Sequence, residues 1–158
     1  AISSGVTANP SGLIVFASIP LIPNTVFDTT DFAFILIYVA KEGDFTEGIL
    51  TGNKAVIFVT FMAKMNTDHL GKIDEMINGL QGSGITPVLV AASSVDEIEA
   101  LISSRNWGIE GYQGDATVIK TIMRSNPGIM LIREGVVLKK YHHRNTPSSE
   151  EVINLFAQ

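Results

Sequence analysis

Ser125-Asn126-Pro127-Gly128-Ile129-Met130-Leu131-Ile132-Arg133-Glu134-Gly135-Val136-Val137-Leu138-Lys139-Lys140 is the stretch that decides how this chain folds. Ile129 to Arg133 is an apolar, β-prone run. Glu134-Gly135 supplies a tight turn, and Val136 to His142 returns as a second strand. Together they read as an antiparallel hairpin. Upstream, Asp115 stands where a helix cap belongs, and Val118, Ile119, Ile122 and Met123 form one apolar side of a helix running to about Arg124.

Further toward the N-terminus the pattern alternates between strand and helix. Ala55 to Met62 is a continuous apolar run, which fits a central strand buried on both faces. Thr67 to Leu80 carries Leu70, Ile73, Met76, Ile77 and Leu80 at helical spacing, with Thr67 or Asp68 available as the cap. Gly82-Ser83-Gly84 stops it. Ile85 to Ala92 is the next strand, with Pro87 near its start where a missing donor costs least. Ser94-Val95-Asp96-Glu97 resembles a capping box opening a helix to about Ser104, with Val95, Ile98, Leu101 and Ile102 inward. Trp107 to Gln113 is a short strand or loop. At the other end, Pro147 fits the first turn of a last helix, which Ser148 or Ser149 can cap, ending near Gln158. From residue 55 the order is therefore β-α-β-α-(β)-α-β-β-α, a parallel βαβ rhythm closed by a hairpin.

Residues 1–31 are different. Gly5, Pro10, Gly12, Pro20 and Pro23 forbid a long helix. Leu13 to Ile22 is apolar but interrupted, so the segment reads as an arm or short edge strand, or as a juncture lying near a membrane. Phe32 to Ala40 reads as a strand and Phe45 to Thr51 as one helical turn. The domain proper is thus expected over 32–158.

Composition narrows the function. The chain has 158 residues, 46% hydrophobic and 17% charged, which suits one domain with a real core. Its mean hydropathy of +0.28 is high for a domain in water and points to covered sheet faces or to apolar surface meeting a partner or a membrane. A net charge of −5 argues against nucleic acid as a partner. There is no cysteine, so disulfides, thiolate nucleophiles and Cys-ligated metals are excluded. No apolar stretch reaches the ~18 residues of a spanning helix. No secretory signal is read at Ala1, and the missing initial Met marks the chain as a processed or excised fragment.

The element order and the 125–140 stretch resemble the thioredoxin superfamily. The fold this implies is a three-layer α/β/α sandwich with a mixed sheet, carrying an extra N-terminal arm or strand. On that resemblance Pro127 is the cis-proline beside the active site. A narrower likeness lies in Asp115-Ala116-Thr117-Val118-Ile119-Lys120-Thr121-Ile122-Met123-Arg124-Ser125-Asn126-Pro127-Gly128, which looks like the cysteine-free thioredoxin-like C-terminal domain of DoxX-type membrane proteins of Bacteroidetes. That resemblance implies a periplasmic, membrane-associated setting, with a membrane segment lying upstream. The departure from thioredoxin is decisive: its Cys-x-x-Cys would fall on Ala63-Lys64-Met65-Asn66, so thiol–disulfide chemistry is absent.

What remains is a candidate cleft in which Ala63, Lys64, Met65, Asn66, Asn126 and Pro127 converge at the strand ends. First-turn N–H groups of the Thr67 helix are candidate anion or carbonyl donors there. The expected role is docking of an envelope protein or peptide by extended pairing beside Pro127. The alternatives are a closed relic, an enzyme using His69 or Asp68 with replaced chemistry, and a structural subunit or homo-oligomer joined through residues 13–40. No cofactor and no metal is expected. His142 and His143, adjacent on a strand, should point to opposite faces. The acidic pairs Asp74/Glu75, Asp96/Glu97 and Glu150/Glu151 read as solvated or dipole-facing helix residues. Trp107 and Tyr112, among Gly108, Gly111 and Gly114, read as aromatics on a sheet edge.

Overall fold

The computed structural model describes residues 6–8, 13–16, 36–38 and 51–158, the first three segments as backbone only. The strands are β1 (Val6–Ala8), β2 (Leu13–Phe16), β3 (Leu36–Tyr38), β4 (Asn53–Val59), β5 (Ile85–Ala91), β6 (Glu110–Gly114), β7 (Gly128–Arg133) and β8 (Val136–His142). The helices are α1 (Leu70–Gly79), α2 (Val95–Ser104), α3 (Ala116–Ile122) and α4 (Ser149–Phe156). They build one mixed sheet in the order β1-β2-β3-β6-β5-β4-β7-β8. β4, β5 and β6 run parallel, while β7 pairs antiparallel with β4 and β8 antiparallel with β7. The expected mixed-sheet α/β sandwich is the observed one.

The continuous apolar runs follow from helices on both faces. Ala55, Ile57 and Val59 of β4 face one core, shared with Ile73 and Met76 of α1, Ile98 of α2 and Val152 of α4. Val56 and Phe58 face the other, shared with Ile119 and Ile122 of α3. A strand with helices above and below has no polar face to show. Trp107 belongs to the first core rather than to a sheet edge.

Part of the 1–31 arm is strand. β1 and β2 form an antiparallel pair, β2 lies on β3, and β3 joins the sheet at β6 through Ile37↔Gly114 and Tyr38↔Gln113. β3 occupies the middle of the strand read over 32–40. The helical turn expected over 45–51 lies outside the described residues except at Thr51, which is a bend.

Local chemistry set several boundaries as expected. Ser94 Oγ accepts from Glu97 N at 3.2 Å, and Glu97 Oε2 accepts from Ser94 N at 3.0 Å, completing the capping box. Asp115 caps α3 through Val118 N at 3.0 Å. Glu134 and Gly135 have φ of 46° and 80°, the left-handed pair that a two-residue hairpin turn requires.

Others differ. β4 ends at Val59 instead of Met62, because Asn126 captures the next backbone groups and Met62–Lys64 coils into a 3-10 turn. Neither Thr67 nor Asp68 caps α1: the N-cap is His69, and Asn66 Oδ1 takes the Asp68 N–H at 3.0 Å. α3 stops at Ile122, where Met123 turns extended (φ −139°, ψ 117°). Pro147 precedes the N-cap Ser148 instead of lying within the first turn of α4. Asp74 is not a solvated helix residue. It accepts from Arg105, Nε at 3.1 Å, and from the buried Trp107 indole at 2.6 Å, joining α1 to the end of α2.

Candidate functional site

The site grows from one asparagine. Asn126 lies between the end of α3 and the start of β7, and its side chain reaches across to the end of β4. Its Oδ1 accepts from Thr60 N at 3.2 Å and its Nδ2 donates to Phe61 O at 3.1 Å. Its backbone carbonyl accepts from Asn66 N at 2.9 Å. These bonds hold the β4–α1 connection against the Pro127 turn, and the Asn126–Pro127 peptide is cis. Gly128 follows because the space is taken: a Cβ there would come within 2.3 Å of the Met123 side chain.

The two sides of this turn carry different chemistry. On the α3 side lies an open groove of about 430 Å³. Phe61 and the buried Met123 (5% exposed) give it apolar surface, with Asn126 and Thr60 beside them. Lys64, Lys120 and Arg124 line it too, all exposed. Lys120 Nζ stands 4.9 Å from the Phe61 ring centroid and Lys64 Nζ 6.0 Å. Both fall within reach of a cation–π attraction.

On the α1 side the groups are histidines. His143 is 7% exposed. Its N–H donates to Ser125 Oγ at 3.0 Å, and Ser125 Oγ in turn donates to Pro127 O. His143 Nδ1 and His69 Nδ1 are 3.1 Å apart, so one of the two nitrogens carries the proton they share. His142 and His143 do not point to opposite faces. Their ring centroids are 4.1 Å apart, because the chain leaves the strand at His143 for a 3-10 turn. Burial, with lesser contributions from His142 and His69, pushes His143 below its ordinary value of 6.5. Among the described residues no three His, Asp or Glu side chains group as a metal site would require.

The six residues singled out in the sequence are therefore divided. Lys64 and Asn126 line the groove. Asn66 is tied to Asn126, and Pro127 is buried beneath the turn. Ala63 is exposed on the 3-10 turn, and Met65 packs against the α1-side core. The α1 N-terminus offers less than expected, since the Leu70 and Lys72 N–H groups already donate to the Thr67 and His69 carbonyls at 3.3 and 3.1 Å. Phe61, Lys120 and Arg124 were missed. Arg124 lies past the end of α3, so helical spacing gave no signal that it would share a side with Lys120. The His69–His143 pairing spans 74 residues and left no local trace.

No protein-family model and no curated protein matches the chain by sequence. Solved structures resemble it in fold. A thiol:disulfide interchange protein of the thioredoxin family from Chlorobium tepidum superposes with a TM-score of 0.56 at 13% identity, over 78% of this chain and 91% of that one. A thiol:disulfide interchange protein from Bacteroides sp. gives 0.50 at 13% identity, over 71% and 76%. A thioredoxin-like protein from Parabacteroides distasonis gives 0.50 at 9% identity, over 69% and 82%. The fold is thioredoxin-like, and this chain carries it without a cysteine.

Proposed function

We propose that this chain is a non-redox docking domain that holds an extended segment of a partner protein in the groove beside Pro127. One observation carries the reading. Where a thioredoxin would place its cysteines the chain has Ala63-Lys64-Met65-Asn66, yet Asn126 still holds the turn against the end of β4 and an open groove lies beside it. An apolar floor with polar and charged groups at its margin is what a peptide groove needs. The likeness of 115–128 to the tail domain of DoxX-type membrane proteins supports an extracytoplasmic partner. No helix among the described residues is long and apolar enough to cross a membrane.

Photo-crosslinking of the full-length protein in its native cells tests this. A photoreactive residue at Ala63, exposed beside the groove, is expected to give a discrete adduct. The same residue at Glu99, exposed on α2, is expected to give none. Equal adducts at both positions, or none at Ala63, would overturn the docking reading.

A second reading draws on the His69–His143 pair, which sets a half-buried imidazole at the start of α1 with a buried one behind it. In that reading His69 is a base in a replaced chemistry. It requires a pH-dependent turnover lost in His69→Gln, and a chain inert toward ester, amide and phosphate substrates would sink it.

A further inference from the structure

The groove beside Pro127 is basic although the chain is acidic. The chain carries −5 overall, with 16 acidic and 11 basic side chains. Yet the groove is lined by three cations and no carboxylate. A depression between α2 and α3 holds Glu97 and Asp115 instead. Another, along α4, mixes Lys139 with Glu150 and Glu151. Of these three depressions, the groove alone is lined by cations without a carboxylate.

Nor do these cations pair with a carboxylate among the described residues. The ion pairs among the described residues are Arg105–Asp74 and Lys139–Glu151, and neither involves Lys64, Lys120 or Arg124. The negative end of α3 accounts for a cation at Lys120 in its last turn, but not for Lys64, which arrives from a different element. Three like charges brought together from two elements repel one another. That cost is removed when an anion enters. The Phe61 ring holds two of the ammonium groups at the groove, so less side-chain freedom is lost on binding.

We propose that the groove takes an acidic segment of a protein partner, its carboxylates set against Lys64, Lys120 and Arg124 and an apolar side chain resting on Phe61 and Met123. This rests on the docking reading above and adds the chemistry of the partner. A groove with an apolar floor and a cationic margin selects for a segment in which carboxylates flank an apolar side chain. A basic segment is rejected by the same charges.

Three fluorescein-labelled peptides of one length test it: Glu alternating with Phe, Gln alternating with Phe, and Lys alternating with Phe. Binding to the intact chain is read by fluorescence anisotropy. The Glu peptide is expected to bind at least about tenfold tighter than the Gln peptide, and the Lys peptide least. Its affinity should fall several-fold between about 20 and about 200 mM salt. Lys64→Glu with Lys120→Glu should abolish the preference, while Lys54→Glu, distant on the other end of β4, should leave it unchanged. If the Gln peptide binds as well as the Glu peptide and Phe61→Asp removes both, docking stands and the acidic specificity is wrong. If the Glu peptide binds the double variant undiminished, the groove is not its site. If no peptide binds, the docking reading falls as well.

Discussion

On the α1 side of the Pro127 turn, polar groups are tied inward: His143 to His69 and Ser125, Ser125 to Pro127, Lys72 to the Arg144 carbonyl at 3.1 Å. On the α3 side three exposed cations line one groove, two of them over the Phe61 ring, with no acidic partner among the described residues. Both sides are held by the same few residues at the ends of β4 and β7. Satisfaction indicates structure, because a buried polar group without a partner costs stability. Like charges gathered at a groove without a carboxylate beside them repel one another, and the proposed partner is placed on that side for this reason. Substitutions on either side of the turn separate the two roles.

The largest loss should come from the residue that serves both sides. Asn126→Ala removes the bonds to Thr60 N and Phe61 O and leaves two backbone groups unsatisfied. It should cost about 2–4 kcal/mol in urea unfolding. A loss under about 1 kcal/mol would mean that the groove wall stands without this side chain.

Next is Asp74→Ala, on the α1 side but away from the turn. It strands the Trp107 indole and the Arg105 guanidinium, whose pair with Asp74 is about one-third exposed, 31% and 29% for the two side chains. A loss of about 1–3 kcal/mol is expected, with peptide binding at the groove intact. Lost binding would show the two sides to be mechanically coupled.

His143 gives a smaller effect that depends on pH. Its folded value lies below 6.5, so near and below that pH the unfolded chain binds a proton more readily than the folded one. The stability tied to its neutral form is therefore present above about pH 6.5 and is lost as pH falls through that value. The slope is limited to about 1.4 kcal/mol per pH unit for one proton. Urea unfolding from pH 7.5 to 5.5 should show this decline, and His143→Gln should flatten it. An unchanged slope in His143→Gln would assign the decline to other groups.

The smallest change in stability belongs to the groove cations. Lys64→Glu and Lys120→Glu should each shift unfolding by less than about 0.5 kcal/mol. A loss above about 1 kcal/mol would show that the cation–π contacts to Phe61 support the fold and were not left over for a partner.

Much of the fold could be read from local chemistry. Ser94, Asp115 and Ser148 announce helix starts by their side-chain oxygens, and Glu134-Gly135 announces a hairpin by its backbone freedom. These signals act within four residues, so a single sequence carries them. The start of α1 was misread because a distant residue, Asn126, holds the preceding turn, and Asn66 then takes the Asp68 N–H. The same holds for the site. Pro127 and its neighbours were legible through resemblance. Lys120 and Arg124 carry no signal of their own in the sequence, because the fold alone brings them to a groove shared with Phe61. The histidines looked divergent, because strand geometry was assumed past the point where the strand ends.

The most direct test of the account is an amide NMR titration of the chain with the Glu-Phe peptide. The account predicts shift changes concentrated at residues 60–64 and 120–126, with residues 69 and 142–145 little affected. Changes centred on the histidines, or spread evenly over the sheet, would contradict it.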